Sequence, residues 1–236
     1  MDSDLIRRFS GHLPHFINYR TQIHSHLMTF LLIILFTITL IYLALAEQVR
    51  QFVTLLVIQG VLLFGVAYYQ LKHIDVTYLI LILLETLIVK SVATPLFLNY
   101  IRVRNKLNRL SKSKVPTFVS ILIICLALIF SFTISNYLHD IHLQSMLFAA
   151  AISTVITGVY FIITHRSVFN HLIGYLVIEN GTFMMSLAVG QEMTMLVQYA
   201  ILLDIFISIM ALGIFINKLS ETFQNIDVDN LSQLKE

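Results

Sequence analysis

Residues 27–46 read LMTFLLIILFTITLIYLALA, with no charged side chain and with about the 20 residues that a helix needs to cross the hydrocarbon core of a bilayer. Working outward, similar apolar runs occupy residues 52–71, 78–98, 118–138, 146–164, 172–189 and 196–216. At about 1.5 Å per residue each is near the length that spans about 30 Å. The expected fold is therefore all-α, a polytopic membrane helix bundle of about seven transmembrane helices. Composition agrees: 58% of the 236 residues are hydrophobic and only 12% are Asp, Glu, Lys or Arg, against roughly 25% charged in an ordinary soluble domain. Lipid is the solvent such a chain needs.

The first two runs are separated only by residues 47–51, which makes them a tight helical hairpin if both cross. Ala44-Leu45-Ala46 has the small-residue form of a leader-cleavage site. The apolar run before it exceeds the core of about 7–15 residues that a leader carries, so it is read as a span. Residues 4–19 mix Arg7 and Arg8 with Leu5, Ile6, Phe9, Leu13 and Phe16, which suits an interfacial segment or a frayed polar tail equally. The expected division is residues 1–26 as a polar or interfacial segment, 27–138 as a four-helix membrane part, 139–217 as a three-helix unit and 218–236 as a tail.

The net charge of +2 is small, but its distribution sets orientation rather than pointing to nucleic acid. Arg102, Arg104, Lys106, Arg109, Lys112 and Lys114 crowd between the third and fourth runs, which makes that loop cytoplasmic. Residues 139–144 and 191–194 contain no Lys or Arg, whereas Arg166 follows the fifth run and Lys218 the seventh. The alternation puts the C-terminus in the cytoplasm of a multi-pass protein of the inner membrane. Counting back places Arg7, Arg8 and Arg20 outside, against the same rule locally; the larger downstream bias is taken to override it.

Several functions are unsupported. Cys125 is the single cysteine, so no intrachain disulfide, thiolate zinc site or iron–sulfur cluster can be built. No nucleophile–base set or nucleotide loop is visible, and His12, His15, His24 and His26 offer no tetrahedral ligand set. Catalytic residues, cofactors and metals are not expected.

Four ionisable residues fall inside the runs: Glu85 and Lys90 in the third, Glu179 in the sixth and Asp204 in the seventh. Such a group at the bilayer centre costs about 2.5–3.5 kcal/mol on insertion scales and marks a functional site by default. The rise per residue puts Glu179 roughly 10 Å and Lys90 roughly 12 Å from the cytoplasmic edge. It puts Glu85 roughly 10 Å and Asp204 roughly 12 Å from the outer edge. Two levels of titratable groups suit proton movement, in which each carboxyl exchanges a proton and the lysine tunes it. A buried structural ion pair or a neutral carboxyl is the competing reading. His171, about two turns before Glu179, is a candidate proton-uptake relay. Pro95 removes a backbone donor, frees the Ser91 carbonyl and favours a kink, while Gly174 and Gly181 permit close helix approach.

The stretch Ile173-Gly174-Tyr175-Leu176-Val177-Ile178-Glu179-Asn180, then Asp204 in mid-span and Asn225-Ile226-Asp227, resembles the small three-helix subunit of respiratory complex I. It also resembles the related small component of the multisubunit sodium/proton antiporters. In that family a glutamate of the middle helix and an acidic residue of the last belong to the proton path; Glu179 matches the first, and Asp204, shorter than a glutamate, stands near the second. The whole chain resembles the hydrogenase-4 component E family. Glu85 and Lys90 followed by Pro95 and a basic loop, Glu179-Asn180-Gly181, and Leu202-Leu203-Asp204 carry that likeness. The resemblance implies a non-catalytic subunit of an energy-converting, complex I-like oxidoreductase, partnered by other membrane subunits, antiporter-like ones included. An antiporter subunit and a purely structural anchoring subunit are the alternatives.

Overall fold

The structure is a computed structural model that describes residues 25–71, 76–104, 115–138, 144–165 and 168–189. Helix α1, Ser25–Leu45, fills the first apolar run. It buries one stripe, Ile33, Phe36, Leu40 and Leu43, and leaves Leu31, Leu35 and Ile38 outward. Both faces are apolar, as they must be when one meets protein and the other meets lipid. Helix α2, Val49–Gln70, begins earlier than the apolar run because Gln51 turns back: its Oε1 accepts from the backbone N–H of Glu47 at 3.0 Å and of Gln48 at 3.1 Å. These bonds satisfy donors that a helix start leaves without intrahelical partners. The hairpin is accordingly tighter than residues 47–51 suggest.

The third run is not one regular helix. It consists of α3 (Val76–Leu84), a π-helical segment (Glu85–Ala93) and α4 (Thr94–Arg104). Pro95 is the second residue of α4, in the first turn, where its missing N–H is tolerated. The departure from α geometry lies upstream of the proline, over the stretch that carries Glu85 and Lys90.

Helices α5 (Thr117–Tyr137), α6 (Ser145–Thr164) and α7 (Val168–Val189) follow. The protein is an all-helical membrane bundle: among the described residues six helices are long and apolar enough to cross a bilayer. The seventh run, 196–216, lies outside the described residues, as do residues 4–19 and 105–114. Helix α7 is the central one, with 67% of its span buried, while α5 has 17% and packs chiefly on α6. Phe52 of α2 meets Phe161 of α6 with ring centroids 5.0 Å apart.

The tightest packing joins α6 to α7. A Cβ on Gly158 would lie 2.7 Å from the Gly174 carbonyl oxygen, and one on Gly174 would lie 3.0 Å from the Gly158 oxygen. Gly181 is equally close to the α6 backbone, its Cβ position 3.0 Å from Val155 N. In lipid, where burial supplies no drive between helices, small residues that let backbones approach are the main source of association. Gly158→Val should therefore separate the pair and cost about 1–3 kcal/mol, the usual range for overpacking. Thermal unfolding of the purified protein would register it as a lowered midpoint, whereas Gly65→Ala, whose Cβ meets only the tip of the Leu32 side chain at 3.0 Å, should change little.

Candidate functional site

Near the middle of α7, Glu179 and Asn180 follow one another and so face directions about 100° apart. Each grips a different helix. Glu179 Oε1 accepts from Lys90 Nζ of the π segment at 2.8 Å, with both side chains only 5% exposed. Asn180 Nδ2 donates to Gln59 Oε1 of α2 at 3.1 Å. Gln59 Nε2 in turn donates to Thr39 Oγ1 of α1 at 3.0 Å, and that hydroxyl donates to the Phe36 carbonyl at 2.6 Å. Gln59, Asn180 and Thr39 are all buried.

The third side of this junction joins α2 to the π segment. Gly60 lies against Ser91 so closely that a Cβ would stand 3.0 Å from the Ser91 backbone nitrogen and 2.6 Å from its Oγ. Three adjacent pairs therefore meet: Gln59-Gly60, Lys90-Ser91 and Glu179-Asn180. Ser91 Oγ is buried with no hydrogen-bond partner among the described residues. The Lys90 ammonium also sits 5.2 Å from the centroid of the Phe183 ring, one turn beyond Glu179 on α7. Carboxylate and ring face on one helix thus hold a single cation.

In chemical terms the site brings an ammonium and a carboxyl group into contact in a low-dielectric interior. Desolvation opposes each charge alone, and mutual attraction with hydrogen bonding offsets that cost only while both are present.

Lys90 and Glu179, placed at one depth by helix rise, are thus brought into direct contact. The second expected level is not described: Asp204 lies outside the described residues, and so does the Glu85 side chain. His171 is not brought to Glu179. Its ring Nε2 donates to the His165 carbonyl at 2.8 Å, about two helical turns away from the carboxylate along α7. His165, just past the end of α6, stacks on Phe161 with centroids 4.0 Å apart. Burial holds its imidazole below the ordinary histidine range; the hydrogen bond to the Phe161 carbonyl works against that shift and the neighbouring His171 adds to it. Among the described residues no three His, Cys, Asp or Glu side chains converge.

Sequence reasoning missed Gln59, Gly60 and Thr39. A signal was there, since Gln59-Gly60 interrupts the middle of an otherwise apolar run. A polar amide at that depth needs a partner on another helix.

Residues 145–236 match the family model of NADH-ubiquinone/plastoquinone oxidoreductase chain 4L. The match begins at the first residue of α6, takes in Glu179, Asn180 and Asp204, and covers well under half of the chain. The C-terminal part is therefore similar to the small membrane subunit of complex I-like assemblies. Lys90, Gln59 and Thr39 come from the part outside the match. No curated protein and no solved structure matches the chain.

Proposed function

We propose that this chain is a non-catalytic membrane subunit of an energy-converting, complex I-like oxidoreductase of the hydrogenase-4 type, and that it contributes intramembrane charged groups to proton translocation. The observation that carries this reading is the buried Lys90–Glu179 pair, whose acidic member lies in the segment matched by the chain 4L family. Intramembrane ionisable groups that face a bundle interior are functional by default.

In this reading Glu179 holds the exchangeable proton and Lys90 tunes it. Glu85 and Asp204 form the second, outer level, and His171 serves the cytoplasmic approach. The C-terminus and the basic loop face the cytoplasm, and partners are other membrane subunits, antiporter-like ones included.

Affinity purification of the tagged full-length chain from its native membrane tests the assembly. Iron–sulfur and nickel-binding subunits should co-purify with it. Recovery of antiporter subunits alone, with no redox subunit, would replace this reading with a multisubunit cation/proton antiporter. Recovery of the chain with no other membrane subunit would overturn both.

A further inference from the structure

Between the second half of α1 and the first half of α2 lies a cleft of about 450 Å³, lined in part by the exposed Ile38, Tyr42 and Ile58. Its lining changes character along its length. Arg50, Gln51 and Thr54 stand toward the hairpin, while Ile38, Leu55 and Ile58 lie further in. Leu55 forms a buried floor, and Ile38 and Ile58 are outward-facing walls. The apolar end is therefore open to acyl chains rather than closed by the bundle.

Depth matches this polarity. Arg50 is in the first turn of α2, and Ile58 is eight residues on, about 12 Å further into the membrane at helical rise. A cation at headgroup level above an apolar slot of that length has the dimensions of a phospholipid headgroup and the upper part of one chain. Among the described residues the Arg50 guanidinium makes no ion pair. A zwitterionic lipid would fill the slot but bring the guanidinium no net opposite charge, and a soluble anion would leave the slot unfilled. We propose that the α1–α2 groove binds an anionic phospholipid, with its phosphate on Arg50 and an acyl chain along Ile38, Leu55 and Ile58. Arginine favours this role because its planar fork meets a phosphate with two parallel hydrogen bonds. The proposal stands independently of the transport reading.

The test uses the full-length chain in the complex with which it purifies, reconstituted with phosphatidylglycerol carrying a photoreactive group on its acyl chain. Cross-linked peptides mapped by mass spectrometry should include α1 and α2 residues of the groove. Arg50→Gln should reduce that labelling at least about fivefold, with the yield of complex unchanged because the side chain is exposed. Ile58→Trp, which fills the slot, should reduce it without touching the charge. Equally strong labelling by the matching phosphatidylcholine probe, or labelling unaffected by Arg50→Gln, would overturn the proposal. Displacement of the probe by millimolar inorganic phosphate would assign the arginine to a soluble anion and overturn it equally.

Discussion

Glu179→Gln should lower proton uptake per assembled complex in membrane vesicles about tenfold or more, the scale on which a positioned proton-exchanging group acts. It should lower the yield of complex by less, because it keeps an acceptor for Lys90 but not the carboxylate charge. The amide keeps the length of the side chain and an oxygen that can accept from Lys90 Nζ, so the 2.8 Å contact has a replacement acceptor. It has no proton to exchange under working conditions. Glu179→Asp keeps the carboxyl but withdraws it from the lysine by one methylene, and some transport should survive. Proton uptake and the yield of intact complex are measured side by side. Unimpaired uptake by a fully assembled Gln variant would remove Glu179 from any proton path.

Lys90→Met should act in the opposite order, on assembly before transport. Methionine has no donor for Glu179 Oε1, and breaking one half of a buried ion pair costs about 3–5 kcal/mol. The yield of complex should fall in the single variant and recover in Lys90→Met with Glu179→Leu, because two apolar side chains replace a buried pair at little cost. Transport should stay low in that double variant. If it pumps normally, the pair is a structural fastener and nothing more.

How much of this was legible depends on which quantity the sequence carries. Span positions are set by run length, and the six helices fall within a few residues of the apolar runs; α2 departs at its start because the Gln51 side chain, not hydropathy, decides where it begins. The meeting of Lys90 with Glu179 was legible as a shared depth, because helix rise converts residue number into height. Which helices are neighbours is not written in any run, so Gln59 and Thr39 could be given a height but no partner. The π-helical segment was also beyond reach: Glu85–Ala93 has no feature that separates it from an α-helical stretch, and Pro95 points to a disturbance without saying on which side it lies.

The ion pair also imposes an order in time. Lys90 and Glu179 are 89 residues apart in the chain. At roughly 5–20 residues per second, the ribosome completes the glutamate roughly 4–18 s after the lysine. During that interval the rod holding Lys90 must be accepted by the membrane before its acidic partner exists. The two spans that hold the pair are the least apolar of the six, each with a mean hydropathy of 1.5. The early tenure of the Lys90 span therefore leans on the insertion machinery or on its neighbours. Contact between Lys90 and Glu179 is then the moment at which helices made early are locked to one made later.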